Sequence, residues 1–456
     1  MAKTSSSYAI PNEFETSNDY WLELDRKARL QSRATHPVCL SHGQGVRLWD
    51  VEGKEYLDFE SGQVCASVGH SHPKLVKAIQ TQATRLIQTG SCYTEPTQIT
   101  FQNRLAETTS GEFGLSFLAC SGSEANEAAM RLAKAYTGRH EIITFTGNYL
   151  GQTYGSWSVS GFGGKAREPY GPAMVGVLML PTPFDYCIPE EKRFAWRDDA
   201  VIDACLRHCE QMIDAATSGK PAAVMVELLQ SAGGVRLLPA RFVDGIRRIC
   251  DERGSLMIVD EAQTGVGRLG KWWGYEHYDS RPDIVVASKT LGGGAPLSAV
   301  LTGKKIADGA LARGYRQSSS HTGDPLLAAA GLATLEVIEE ENLLQNVTEM
   351  GQYLKDRLEA LGRESAVIGE IRGIGLLNGI EFVRSERGES NEEATELFSD
   401  ECRQRGLLTG WWKVPYLAPN IVRLMPPYTV TREEIDDALG IIKAALDAVG
   451  TMGASR

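Results

Sequence analysis

The chain has 456 residues, 42% hydrophobic and 23% charged, with a formal net charge of −11. That size suits two domains with real cores, and the acidic balance argues against nonspecific nucleic-acid binding, which needs a basic surface. No apolar run reaches the roughly 18 residues that a membrane span requires.

The first residues, Met1 to Ser7, are polar and lack the apolar core of a signal peptide. Nine cysteines without a C-x-x-C pair fit reduced thiols, so a cytoplasmic protein is expected. Residues 1–20 read as an arm that orders only against a partner surface. Val46 to Asp50 and Glu55 to Phe59 alternate apolar and polar around Val51-Glu52-Gly53-Lys54, which predicts a β-hairpin. From about 70 to 325, short apolar runs alternate with helical periodicity: Gly114 to Ala119, Glu141 to Phe145, Ala223 to Glu227, Leu256 to Asp260 and Ile284 to Ala287. This rhythm predicts an α/β domain with a mainly parallel sheet. After Asp324-Pro325 a helical stretch runs to about Leu361, followed by strand-like pieces at Gly373 to Phe382 and Ile421 to Leu424. A final amphipathic helix from Thr431 carries Glu433-Glu434 in its first turn, as helix polarity favours. The expected organisation is an arm and hairpin over 1–69 that pack with the small domain, a large α/β domain over 70–325, and a smaller α+β domain over 326–456.

Chemistry concentrates where two apolar runs end in opposite charges. Leu256 to Val259 ends in the carboxylate of Asp260, and Ile284 to Ala287 is followed by Ser288 and the amine of Lys289. Carboxyl ends of parallel strands open onto the ligand crevice of an open sheet, so the pattern aims an acid and an amine into one pocket. Pyridoxal phosphate needs such a pair: a lysine for covalent attachment and an acid to keep the pyridine nitrogen protonated. Either residue alone is a solvated loop lysine or a helix-capping aspartate. Ala119 to Glu127 sits between a strand and a helix; Gly122 permits a tight turn, and N–H groups at the helix start can face an anion. Ser121 and Glu124 also have capping-box spacing, which a helix with no ligand would show equally. His70 and His72, on a turn flanked by Gly69 and Pro73, offer no third metal ligand, and Cys205 and Cys209, four apart around His208, read as helix positions.

With Gln263 and the run Gly292-Gly293-Gly294, the segment from Ile258 to about Gly303 resembles the signature of the class III pyridoxal-phosphate aminotransferase family, and the resemblance continues over almost the whole chain. It implies the fold of type I pyridoxal-phosphate transferases, with a seven-stranded-type sheet, and a homodimer, dimers pairing into tetramers being left open. It implies that Lys289 anchors the cofactor and carries protons, and that Asp260 faces the ring nitrogen. Gln263 would bond the ring hydroxyl, Tyr149 would stack on the ring, and Gly122 and Ser123 would hold the phosphate. Ser320 would reach the phosphate across the dimer interface.

Ser61-Gly62-Gln63, before Gly69-His70-Ser71-His72-Pro73, and His321-Thr322-Gly323-Asp324-Pro325 further resemble the 2,2-dialkylglycine decarboxylase branch. There a glutamine at the position of Gln63 holds the substrate carboxylate in the scissile orientation. An arginine before a Pro-Pro pair, here Arg423, binds a carboxylate; its planar fork suits a bidentate grip. Thr322 and Asp324 could keep that branch's alkali-metal site, though an aspartate capping the helix at Pro325 would look the same. Ala232, Leu228, Tyr149 and the pair Trp411-Trp412 depart from the branch pattern and put its small substrates in doubt. The expected reaction is decarboxylation-dependent transamination of a dialkylglycine-type amino acid with a 2-oxo acid such as pyruvate. The alternatives are a non-decarboxylating class III aminotransferase and an amino-acid racemase or epimerase.

Overall fold

The computed structural model describes residues 17–30, 35–161, 167–186, 194–385, 388–411 and 418–453. Its centre is a seven-stranded sheet in the spatial order Leu115–Ala119, Ser298–Thr302, Ile284–Ala287, Leu256–Asp260, Ala223–Val226, Ile142–Phe145, Val177–Leu180. Only Ser298–Thr302 runs antiparallel to its neighbours; the other pairings are parallel. Both faces are buried. Val224, Val226, Met257, Val259, Val285 and Ala287 point into one apolar cluster, and Ala223, Met225, Leu256, Ile258, Ile284 and Val286 into another. Burial on both sides explains why these strands read as continuous apolar runs rather than as alternating ones.

The helix Gly122–Thr137 covers one face with Ala125, Ala128, Ala129, Met130, Leu132 and Ala133. The helices Asp199–Ala216 and Ala240–Arg253 cover the other. Cys205 and Cys209 lie in that layer as core thiols, and among the described residues no cluster of three or more His, Cys, Asp or Glu side chains gathers to hold a metal. Among the described residues, no helix is long and apolar enough to cross a membrane.

Five of the seven central strands are those expected from the sequence. The reading did not single out Val177–Leu180 and Ser298–Thr302, which are the outermost strand at one edge and the last but one at the other. Val177–Leu180 carries Leu and Met at its centre, and Ser298–Thr302 follows directly on a glycine-rich loop, so neither has the β-branched run and turn boundaries that mark a strand.

The hairpin Arg47–Asp50 with Glu55–Phe59 forms as expected and pairs parallel with Leu407–Thr409, more than three hundred residues away. The helical stretch after Pro325 is two helices, Pro325–Glu340 and Leu343–Arg363, separated at Asn342, which is left-handed at φ 52°. The single strand expected over 373–382 is instead the second half of a hairpin: Ile368–Ile374 and Leu377–Phe382 pair antiparallel about Gly375 at φ 56°. Ile421–Leu424 adds to Leu377–Phe382, and the last helix, Arg432–Gly453, starts at a capping pair between Thr431 and Glu434.

Candidate active site

The parallel register fixes the site. Val226 lies beside Val259, and Asp260 beside Val286. The next residue after the Ala223–Val226 strand, Glu227, therefore emerges next to Asp260. Lys289 emerges three residues past Val286 on the other side. Three adjacent strand ends thus carry Glu227, Asp260 and Lys289 to one end of the sheet, where ligands of open α/β sheets bind.

Asp260 is only 4% exposed. Its Oδ2 accepts from Asn126 Nδ2 at 2.7 Å, and its Oδ1 from the Ala262 N–H at 2.8 Å. Burial pushes its pKa up, while the Asn126 bond and the nearby Lys289 charge oppose that rise. Lys289 shows the converse. Burial lowers its pKa, and the carboxylate of Asp260 pulls it back up. The two groups therefore share one enclosure and act on each other's charge. Lys289 also sits at φ 47°, a left-handed backbone that costs an L-residue of order 1–3 kcal/mol.

Glu227 is a site residue that sequence reading missed. It is 5% exposed, and its Oε2 accepts the Tyr149 N–H at 2.5 Å. Burial first, and the neighbouring Asp260 second, drive its pKa well above the ordinary carboxylate range. The signal was present: Glu227 ends an apolar strand in the same way as Asp260, its neighbour in the sheet. That backbone bond fixes Tyr149 at the mouth of the pocket, half-buried.

On the phosphate side, Ser121 caps the helix Gly122–Thr137 and forms the full capping box with Glu124. The helix spans 16 residues, and the partial positive charge of its N-terminus lies at Gly122 and Ser123. Ser123 Oγ accepts the Gln152 N–H at 3.0 Å. Gly151, at φ 124°, lies so close that an added Cβ would come within 2.4 Å of that hydroxyl oxygen. Ser320 is exposed on the single chain, and its carbonyl accepts from Gln88 Nε2 at 2.7 Å. Asp324 precedes the helix at Pro325 without capping it; its Oδ2 pairs with His321 Nδ1 at 2.7 Å, and Thr322 Oγ1 accepts the Ser319 N–H at 2.9 Å. His70 and His72 are turn residues: their Nε2 atoms meet Asp58 at 2.6 Å and Glu341 at 2.9 Å.

The opposite wall comes from the smaller sheets. Ser61, Gly62, Gln63 and Val64 are four consecutive left-handed residues, with φ between 53° and 68°. Asp58 Oδ1 accepts the N–H groups of Glu60 and Ser61, at 2.8 and 3.0 Å, and the Ser61 hydroxyl donates to the Met425 carbonyl. Gln63 is thus held half-buried on a strained but pinned turn. Arg423, 5% exposed, donates from Nη1 to Ser231 Oγ at 3.4 Å and from Nε to the Gly410 carbonyl at 3.3 Å. Burial lowers its pKa to about 10, against the nearby carboxylates of Glu60 and Glu227. Trp411 is buried, its Nε1 donating to the Pro419 carbonyl at 3.0 Å; Trp412 lies outside the described residues.

The residues fit pyridoxal phosphate. Gln263 Oε1 is buried with no hydrogen-bond partner among the described residues, beside a buried acid and an amine of lowered pKa. An unpartnered buried acceptor three residues past Asp260 is what a ring hydroxyl would satisfy.

Comparison with known proteins agrees with this geometry. The family model described as "Aminotransferase class-III" matches residues 30–446. An acetylornithine aminotransferase of Caldanaerobacter subterraneus subsp. tengcongensis is 34% identical over 94% of this chain and 99% of its own length. A leucine/methionine racemase of Thermococcus litoralis is 33% identical over 93% of this chain and 94% of its own. The structure superposes with TM-score 0.83 on a pyridoxal-phosphate-bound amine transaminase from an uncultivated Pseudomonas species, at 29% identity, covering 93% of this chain and 98% of that one. The chain belongs to the class III aminotransferases, enzymes that work with pyridoxal phosphate.

Proposed function

We propose that this enzyme is a non-decarboxylating aminotransferase that exchanges an amino group between an amino acid and a 2-oxo acid, with Arg423 as the grip for the substrate carboxylate. The observation that carries this reading is the buried guanidinium of Arg423 beside Glu227, in the enclosure that also holds Lys289. A buried cation of lowered pKa gains most from an incoming anion. A carboxylate seated there, with its amino carbon toward Lys289, is an amino acid or a 2-oxo acid.

Pyridoxal phosphate, when bound, supplies an aldehyde that takes up the amino group and a protonated ring that stores the electron pair of the broken Cα bond. In this reading Lys289 attaches the cofactor and then carries a proton from one carbon to the other. Its lowered pKa leaves more free amine at neutral pH than an exposed lysine has. Asp260 stays ionised to hold the ring nitrogen's proton, steadied by Asn126 and Ala262. Gln263 would satisfy its orphaned amide on the ring hydroxyl, Tyr149 would cover a ring face, and the helix start at Gly122 and Ser123 would hold the phosphate. Ser320 would complete the neighbouring subunit's phosphate site in a homodimer. Two observations support that assembly: Ser320 is exposed on the single chain, and Gln88 ties its loop to an apolar segment with Leu86 at 44%, Ile87 at 55% and Tyr93 at 75% exposure.

The second reading is the decarboxylating one, and a specific feature supports it: Gln63 is half-buried on a strained left-handed turn that Asp58 and Met425 pin. A carboxamide there could turn the carboxylate perpendicular to the ring and weaken that bond instead of Cα–H. A substrate screen scored for both carbon dioxide and amino transfer separates the two. Amino transfer from ordinary amino acids without carbon dioxide supports the first reading. Carbon dioxide and alanine from 2-aminoisobutyrate plus pyruvate, with Gln63→Ala abolishing the gas far more than alanine transamination, would replace it with the second. Loss of chirality in one amino acid without an acceptor would mark a racemase.

A further inference from the structure

Two strained turns, far apart in sequence, meet on one buried hydroxyl. Lys289 and the segment Ser61 to Val64 both lie in left-handed backbone, which L-residues adopt only where the surroundings enforce it. Thr290 follows Lys289 directly and is 1% exposed. Its Oγ1 donates to the Val64 carbonyl at 3.3 Å, lies 2.7 Å from Ser67 Oγ, and lies 3.3 Å from the Tyr428 hydroxyl. Ser67 Oγ is itself 3.1 Å from the same Val64 carbonyl and accepts from Arg268 Nη2 at 2.7 Å. Arg268 is fully buried, stacks 4.5 Å over the Tyr428 ring, and donates to the carbonyls of Leu376 and Pro426 at 3.0 and 2.7 Å. The carbonyl at the end of the Gln63 turn is therefore held by the residue next to Lys289, on a platform that solvent does not reach.

We propose that Thr290 is a positioning residue that locks the Gln63 turn to the Lys289 turn, so that the amine and the carboxamide keep a fixed separation. A threonine at this position is otherwise an unneeded buried polar group, since valine would fill the same volume. Both ends of the lock are strained, and the Thr290 bond to the Val64 carbonyl ties the Lys289 turn to a turn that Asp58 and Met425 already pin at its other end. Burial strengthens it, since no water can replace the Thr290 hydroxyl, and the Val64 carbonyl would be left with Ser67 Oγ as its side-chain donor.

The test is hydrogen–deuterium exchange on the full-length enzyme loaded with pyridoxal phosphate, comparing wild type with Thr290→Val and Thr290→Ser, together with the pH midpoint of the visible cofactor band. The expected result for Thr290→Val is exchange about tenfold faster in residues 61–67, with the helix Asp199–Ala216 unchanged, and a band midpoint moved by about one pH unit. Thr290→Ser should restore both. Unaltered exchange over 61–67 with an unaltered midpoint overturns the proposal, and so does a general acceleration that includes the distant helix, which would make Thr290 merely structural. If Thr290→Val does not fold, Ser67→Ala is read in the same two ways. Neither measurement needs a substrate, so the result stands apart from which reaction the screen identifies.

Discussion

The cofactor wall and the substrate wall of this pocket are built on opposite principles. Asp260 and Glu227 directly end strands of a parallel sheet, and Lys289 follows one by two residues; the strands' positions are dictated by apolar residues packed on both faces. Gln63 sits on a left-handed turn after a hairpin that pairs with Leu407–Thr409, and Arg423 on an edge strand of a separate three-stranded sheet. The first wall is fixed by core packing, which tolerates no local slip, because a one-residue shift would reverse every side chain. The second combines a buried, paired strand, Ile421–Leu424, with a turn held by individual hydrogen bonds to Asp58 and Met425. A site held by core packing suits a cofactor that never changes. The turn that carries Gln63, held by a few bonds, can change without touching the central sheet.

Changes on the cofactor wall should therefore be the most damaging. Lys289→Ala removes both covalent attachment and the proton carrier; the protein should lose its yellow colour, and turnover should fall by at least about a thousandfold. An absorption spectrum and a single-turnover assay check this, and a yellow, active variant would disprove the assignment. Asp260→Asn keeps the shape and removes the charge, and should lower turnover by roughly a hundredfold or more. It carries a second signature. Cofactor capture by the cofactor-free protein uses the neutral amine, so its rate rises with pH through the Lys289 pKa. Burial has already moved that midpoint below the ordinary lysine range, and the Asp260 carboxylate holds it up by favouring the ammonium. Neutralising Asp260 should therefore shift the capture profile to lower pH. A shift upward, or none, would mean that the two side chains do not interact.

The same contrast explains what could be read from the amino acids alone. Five central strands, the hairpin, the last helix and the pair Asp260 and Lys289 were legible because each is written in a few consecutive residues: an apolar run, an alternation, a helical period, or a charge at a strand end. Glu227 was written in the same way but was masked by its place in a run read only as a strand. Val177–Leu180 and Ser298–Thr302 lacked β-branched boundaries. The left-handed turn at Ser61 to Val64 left no trace: of its four residues only Gly62 favours that backbone, and Ser61, Gln63 and Val64 adopt it because Asp58, Met425 and Thr290 hold them there. The contact of Arg423 with Ser231 spans 192 residues and is set by tertiary folding alone. The role suggested for Gln63 therefore rests on a family resemblance alone.

Smaller effects are expected on the substrate wall, and Arg423→Lys measures how much smaller. Lysine keeps the positive charge but loses the planar fork, and with it the second parallel bond to a carboxylate. One charge-assisted bond is worth about 1.5–3 kcal/mol, so the KM for an amino acid with a free α-carboxylate should rise roughly tenfold to a hundredfold. The visible cofactor band should stay in place, because lysine keeps the positive charge that Arg423 places near Lys289. The fall in kcat should be slight, since the lost contact exists before and during the bond-breaking step alike. An amine that lacks the carboxylate has nothing to lose at Arg423, so its KM should not change. If both donors weaken equally, or the band moves, Arg423 supports the pocket as a whole and is not a dedicated grip for the carboxylate.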